Sequence, residues 1–152
     1  MSDIADLQEL YQQLIIDHGR NPRNFGKLVH ANYIKEGYNP LCGDRLTVYL
    51  SVTDNRIQDI RFEGSGCAIS VATASLMTEA LKNKTFTEAE VLFDYFHDLL
   101  TGSQREDAVE KLGKLMVFAG VVEYPMRVKC ATLSWHTAMA AMENTKEPVS
   151  TE

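Results

Sequence analysis

Three cysteines are the residues of this chain best suited to chemistry. Cys42, Cys67 and Cys130 are spread along the sequence, and Asp44 lies two positions after the first of them. A thiolate attacks sulfur and also binds metal ions. Gly43 lets the backbone bend sharply, so the Cys42 sulfur and the Asp44 carboxylate can point at one centre. Three thiolates and one carboxylate would complete a tetrahedral shell for Zn²⁺, in which the aspartate is the more exchangeable ligand.

Spacing alone leaves a second interpretation open, because the cysteines form no CxxC pair. Cys67 and Cys130 could be small buried apolar residues, and Asp44 could cap a turn. Position favours the first interpretation. Glycines flank two of the cysteines, and two lie where a helix is predicted to begin, in the kind of segment that often carries function.

A β-hairpin is predicted directly after Cys42. The residues from Leu46 to Val52 alternate between apolar and polar, and Asp54-Asn55 predicts a turn into a second strand that ends near Phe62. A weaker edge strand is expected at 32–38. Cys42 therefore precedes a strand, and Cys67 lies at a junction from strand to helix.

Helices are predicted on both sides of this hairpin. An amphipathic helix with Leu7, Leu10 and Leu14 on one face opens the chain, and the helix that follows Cys67 continues to about Ala80. The order and spacing of these strands and helices predict an α+β fold. A small antiparallel sheet of about three strands packs against about five to six helices in a single domain, residues 1–152, with a loose tail at 145–152.

Capping signals divide the second half of the chain. Thr87 with Glu90, and Ser103 with Glu106, each predict a capping box that opens a helix.

The apolar stretch from Val117 to Tyr124 is unassigned, and Pro125 is expected to end it. A last helix is predicted from about Ala131 to Met142, with Cys130 at its entry. Helix N-termini favour negative charge, so Cys67 and Cys130 are expected to ionise more readily than free cysteine.

Composition excludes several classes of protein. The 152 residues carry a net charge of −6, with no cluster of basic residues, so no nucleic-acid partner is expected. No apolar run is long enough to span a bilayer, and no signal peptide is evident, so no membrane association is expected. An odd number of cysteines fits a reducing compartment, and we expect the cytoplasm.

Two histidines, an arginine and a lysine near these features have structural interpretations. His18 is expected to cap the C-terminus of the first helix, and His136 lies too far beyond Cys130 to share its metal. Arg127 and Lys129 are either solvated strand residues or cations that stabilise a persulfide anion.

The sequence resembles the U-type iron–sulfur cluster assembly family, which includes IscU, the NifU N-terminal domain and SufU. The resemblance covers the chain from Leu10 to about Ala141. The matching motifs are Asp17-His18, Asn21-Pro22-Arg23-Asn24-Phe25-Gly26, Asn39-Pro40-Leu41-Cys42-Gly43-Asp44, Phe62-Glu63-Gly64-Ser65-Gly66-Cys67-Ala68-Ile69-Ser70 and Arg127-Val128-Lys129-Cys130-Ala131-Thr132-Leu133.

Three departures from the IscU pattern resemble the SufU branch. Lys129 stands where IscU scaffolds have a histidine, and residues 124–128 replace the chaperone-binding stretch. The segment between Cys67 and Cys130 is also long, since 130 − 67 gives 63 positions.

The resemblance implies a metal, a task and partners. The metal would be zinc, held by Cys42, Asp44, Cys67 and Cys130. The task would be to accept persulfide sulfur on Cys42 from a SufS-type cysteine desulfurase, as a sulfurtransferase-like protein that supplies downstream iron–sulfur scaffold proteins. The alternatives are a scaffold on which an iron–sulfur cluster is assembled by the same ligands, and a structural zinc module without chemistry.

Overall fold

An antiparallel sheet forms where apolar and polar residues alternate. The computed structural model describes residues 4–103, 105–143 and 149–150. Three of its strands are antiparallel neighbours: β1 (Tyr33–Asn39), β2 (Asp44–Thr53) and β3 (Arg56–Ser65). Asp54 and Asn55 join β2 to β3 with φ values of +52° and +58°, the left-handed conformation that tight hairpin turns require. The predicted hairpin and edge strand are confirmed.

The register of β1 against β2 sets the length of the loop that carries Cys42. Asn39, the last residue of β1, pairs with Asp44, the first residue of β2, so only residues 40–43 lie between the strands. Leu46, Val48 and Leu50 of β2 are buried against the helices. The strand pairing that buries these residues therefore also sets where the loop begins and ends.

A short fourth strand lies at the β1 edge. β4 (Val149–Ser150) pairs in parallel with Gly37 and Tyr38. The rest of the predicted loose tail, 145–148 and 151–152, lies outside the described residues, so its looseness and the single-domain extent 1–152 stay predictions.

Five α-helices pack with this sheet, which confirms the predicted α+β class. A 3₁₀ segment, Gly113–Glu123, precedes the last of them. The helices are α1 (Ile4–Arg20), α2 (Ala68–Leu81), α3 (Phe86–Thr101), α4 (Ala108–Leu112) and α5 (Pro125–Glu143). None of the helices in the described ranges has both the length and the apolar content needed to cross a bilayer.

The capping box of α3 lies two residues earlier than predicted. Thr85 accepts a hydrogen bond from the Glu88 N–H at 3.1 Å, and the Glu88 carboxylate accepts one from the Thr85 N–H at 2.9 Å. The prediction from Thr87 and Glu90 is wrong because the same T-x-x-E pattern occurs twice in succession, and pattern alone does not choose between them.

The second predicted capping box is also wrong. α4 begins after Asp107, which makes no capping hydrogen bond through its side chain, rather than after Ser103 with Glu106.

The last helix starts earlier than its apolar face indicated. Pro125 is the first residue of α5, a position where proline's missing N–H costs nothing. Pro125 ends the preceding stretch, as expected, and it also begins α5, so the predicted start near Ala131 is wrong and Cys130 lies in the second turn of α5 instead of at its entry. Arg127 and Lys129 are likewise helical residues and not strand residues.

Close packing brings α5 against the sheet. A Cβ atom at Gly37 would lie 2.0 Å from Thr137 Oγ1, so only glycine at this position of β1 permits the observed approach of α5. On the other side of α5, the ring of Trp135 stacks on Phe96 with centroids 4.8 Å apart. This packing holds Cys130 beside the β1–β2 loop.

Candidate metal centre

The β1–β2 loop presents Cys42 toward the centre. The Cys42 N–H donates to the Asn39 carbonyl at 3.3 Å, which closes the loop into a turn. Gly43 follows with φ +72°, a conformation that L-residues rarely adopt, so this glycine is required for the bend. Cys42 is half-buried, whereas Cys130 is buried.

Asp44 is a buried carboxylate with one oxygen held and one oxygen unpaired. The Cys67 N–H donates to its Oδ1 at 2.9 Å. Its Oδ2 is buried and makes no hydrogen bond within the described part of the chain. Burying an unpaired carboxylate oxygen is costly unless a cation compensates it. The environment of Asp44 therefore fits a metal ligand better than a turn former.

Gly66 makes room for this carboxylate. A Cβ atom at position 66 would lie 2.5 Å from Asp44 Oδ1, well inside van der Waals contact. The absence of a side chain directly after β3 thus allows the Cys67 backbone and the Asp44 carboxylate to approach each other.

Cys130 supplies the most deeply buried sulfur. Its Sγ lies 3.2 Å from the Sγ of Cys42, and all three cysteines are free thiols. Burial raises the pKa of the Cys130 thiol, and the side chains of Cys42, Asp44 and Cys67 raise it further. The expected lowering by a helix N-terminus is wrong for Cys130, because the residue lies inside α5, away from the free N–H groups of the first turn.

The structure brings three of the four predicted ligands together. The ligand atoms of Cys42, Asp44 and Cys130 all lie within 4.8 Å of one another. Cys67 is not one of these three. It is the N-cap of α2, and its Sγ accepts a hydrogen bond from the Ser70 N–H at 3.4 Å. Cys67 is nevertheless adjacent, through its N–H bond to Asp44 and its effect on Cys130, and its role as the fourth ligand stays a prediction.

The donor set of this centre fits a zinc ion. Thiolates and a carboxylate are established zinc ligands, and the unpaired Asp44 Oδ2 provides an oxygen without a competing hydrogen bond. The same soft thiolates also suit iron–sulfur clusters, so the donor set alone does not distinguish these two groups.

Asn39 is a neighbour of the centre that the sequence analysis did not single out. Its Nδ2 lies 3.6 Å from Cys130 Sγ, and its side chain is fully buried. The only sequence signal was its place in the Asn39-Pro40-Leu41-Cys42-Gly43-Asp44 motif.

His18 lies away from the centre and joins α1 to α2. Its Nδ1 lies 2.7 Å from Ser75 Oγ, and its Nε2 lies 3.8 Å from a Glu79 carboxylate oxygen. Burial lowers the pKa of His18. The predicted capping role is therefore wrong, because the side chain turns inward onto the neighbouring helix.

Arg127 and Lys129 lie on the helix that carries Cys130. The Arg127 guanidinium stacks 4.6 Å from the centroid of the Tyr124 ring, at an exposed position in the first turn of α5. Lys129 is half-buried next to Cys130 in the sequence. The interpretation as strand residues is wrong, and a role in stabilising a persulfide anion stays a prediction.

Known proteins resemble this chain in both sequence and fold. Residues 10–131 match the model of the NifU-like N-terminal domain. The chain is 42% identical over 135 residues to the zinc-dependent sulfurtransferase SufU of Bacillus subtilis, covering 89% of this chain and 90% of the relative. It is 35% identical over 140 residues to the iron–sulfur cluster assembly scaffold protein IscU of Streptococcus pyogenes, covering 92% and 87%.

Solved structures agree with the sequence relatives. A crystal structure of a protein assigned as an iron–sulfur cluster assembly scaffold for the SUF system of Fervidobacterium islandicum superposes with a TM-score of 0.82 at 35% identity, over 89% of this chain and 98% of that one. The N-terminal part of a NifU-like protein from Brucella abortus, at 20% identity and a TM-score of 0.74, shares the fold over 92% and 99% of the two chains.

Fold and motifs together define a small α+β protein of the iron–sulfur assembly class. The chain belongs to the NifU-like N-terminal domain family, which confirms the resemblance stated from the sequence.

Proposed function

We propose that this protein accepts persulfide sulfur on Cys42 from a SufS-type cysteine desulfurase and passes it on for iron–sulfur cluster assembly. The observation that carries the proposal is the contrast between two neighbouring sulfurs. Cys42 is half-buried on a loop, whereas Cys130, 3.2 Å away, is buried in a helix. A partner approaching from solvent therefore reaches Cys42 before Cys130.

The transfer is a thiolate–persulfide exchange. The Cys42 thiolate attacks the outer sulfur of the desulfurase persulfide, the sulfur–sulfur bond of that persulfide breaks, and the desulfurase thiolate leaves. Cys42 then carries the persulfide, and no net oxidation or reduction occurs. The reaction needs Cys42 to be ionised and accessible, and its loop position serves the second requirement.

Zinc is the metal we propose for the centre, held by Cys42, Asp44, Cys67 and Cys130. When bound, it would keep the thiol ligands deprotonated at neutral pH. The resemblance to the zinc-dependent sulfurtransferase SufU of Bacillus subtilis supports this choice. The unpaired Oδ2 of Asp44 supports the aspartate as one of the ligands.

Asp44 and the neighbouring cations would assist Cys42. Asp44 is anchored by the Cys67 N–H, so its carboxylate stays in place when the Cys42 loop moves. Arg127 and Lys129 lie on the same helix as Cys130 and would place positive charge near the persulfide anion. Among downstream partners we propose iron–sulfur scaffold proteins, and we propose the cytoplasm as the location.

A second candidate function is a scaffold for iron–sulfur cluster assembly. It is favoured by the identity to IscU of Streptococcus pyogenes and by a donor set that suits iron as well as zinc. Metal analysis and absorption spectra of the purified protein separate the two functions. A colourless zinc protein supports sulfur transfer, and a brown protein with iron and sulfide supports the scaffold.

Turnover of the desulfurase tests sulfur transfer directly. Alanine production by a SufS-type enzyme with cysteine should rise when the protein is added, and should not rise with Cys42→Ser. Gly120→Ala is a matched control, because no atom lies within 4 Å of a Cβ at that position. Equal stimulation by wild type and Cys42→Ser would contradict the proposal.

A further inference from the structure

Asn39 contacts both halves of the centre from the end of β1. Its Nδ2 donates to the Sγ of Cys130 at 3.6 Å, and its Oδ1 accepts from the Leu41 N–H at 3.3 Å. Its backbone carbonyl accepts from the Cys42 N–H, also at 3.3 Å. One residue, with no exposed surface, thus contacts the cysteine of α5 and the loop of the other cysteine.

We propose that Asn39 is a positioning residue of the metal centre, whose carboxamide donates to the Cys130 sulfur while its oxygen holds the Cys42 loop. This inference rests on the proposed binding of zinc. The two halves of the carboxamide act on different sides of the centre, so that the loop and the helix are held in a fixed relation before metal binds.

The charge of the centre explains why a donor is needed at this place. Three thiolates and a carboxylate carry more negative charge than a divalent ion neutralises, and Cys130 is the most deeply buried of the three cysteines. A buried hydrogen bond to a charged acceptor contributes more than a neutral one. Groups that orient and hydrogen-bond metal ligands contribute strongly to metal affinity.

Two substitutions separate the two halves of the carboxamide. Asn39→Asp keeps an oxygen for the Leu41 N–H but removes the N–H that reaches Cys130. Asn39→Leu removes both groups at similar size. We expect both variants to bind zinc roughly 10–100-fold more weakly than wild type in competition with a chromophoric chelator, a loss common for neighbours of metal ligands.

Cobalt substitution gives a readout that a purely structural role would not change. A thiolate that loses a hydrogen bond gives up electron density more easily, so the sulfur-to-cobalt charge-transfer band of Asn39→Asp should move to lower energy. Measuring both variants also guards against misfolding, because the spectrum of Asn39→Asp is informative even if Asn39→Leu does not fold.

Asn32 provides a matched control at the other end of the β1–β2 pair. Its carboxamide also bridges two backbone groups, the N–H and the carbonyl of Val52, both at 2.8 Å. Asn32→Asp should lower stability but leave zinc affinity and the cobalt spectrum unchanged.

The outcomes distinguish this inference from the proposed function. If wild type binds zinc and cobalt but Asn39→Asp has the same affinity and the same spectrum, the role of Asn39 is overturned and the metal centre stands. The same conclusion follows if Asn39→Asp binds zinc more tightly. If wild type binds neither metal, the proposed centre itself is overturned, together with the role of Asn39.

Discussion

The sulfur of Cys42 lies 3.2 Å from the sulfur of Cys130, although 88 positions separate the two residues in the chain. One sulfur is on a loop held between two strands, and the other is in the second turn of the last helix. The contact depends on the close packing of α5 on β1 that Gly37 permits. The centre is therefore a product of the whole fold, and its stability and its chemistry should be coupled.

Loss of the buried sulfur should empty the centre and weaken the fold. Wild type should carry about one zinc ion per chain, and Cys130→Ala close to none. The melting temperature of Cys130→Ala should fall to that of wild type treated with a chelator, because metal binding is coupled to folding. Elemental analysis and thermal unfolding measure both effects. Full zinc occupancy in a variant that combines Cys67→Ala with Cys130→Ala would rule out the proposed ligand set.

A methyl group at position 66 should displace Asp44 without removing any of the proposed ligands. In Gly66→Ala the new Cβ would lie 2.5 Å from Asp44 Oδ1, so the carboxylate must move. We expect zinc affinity to fall about tenfold or more, the loss typical of a displaced ligand environment. Chelator competition measures the affinity, and Gly120→Ala is the control with free space around its Cβ. Unchanged affinity in Gly66→Ala would show that the position of Asp44 is not important.

The buried His18 should make stability depend on pH below neutrality. Because burial lowers the pKa of His18, the unfolded chain binds a proton that the folded chain resists. The contribution of His18 is therefore fully present above the unfolded value of about 6.5 and is lost as pH falls through the lower, folded pKa.

Urea unfolding of wild type and His18→Gln between neutral and mildly acidic pH tests this. His18→Gln should be about 1–3 kcal/mol less stable at neutral pH, because the hydrogen bond to Ser75 is buried. The difference should shrink as pH falls. His30→Gln, at an exposed position, should leave the profile unchanged. A difference that stays constant with pH would mean that His18 does not titrate in this range.

Much of the fold follows from local patterns in the sequence. The alternation from Leu46 to Val52 and the Asp54-Asn55 turn predict the hairpin because its strands bury one face. The start of α5 could not be predicted in the same way. Its first turn, from Pro125 onward, is exposed and shows no apolar period, whereas the buried face begins only near Cys130.

The proposed ligand residues were more predictable than their environment. Motifs identified Cys42, Asp44, Cys67 and Cys130, because residue type and neighbouring glycines are visible in the sequence. The raised pKa of Cys130 and its contact with Asn39 depend on burial by α5 and β1, which are distant in the chain. Such contacts follow from tertiary packing, which no local pattern encodes.

The most direct test of the account is the position of the transferred sulfur. The protein would be incubated with a SufS-type desulfurase and cysteine, then alkylated, digested and examined by mass spectrometry. We predict a mass increase of one sulfur atom on the peptide that contains Cys42, and no adduct on any cysteine of the Cys42→Ser variant. A sulfur adduct on Cys67 or Cys130, with Cys42 unmodified, would contradict the role of Cys42 as acceptor.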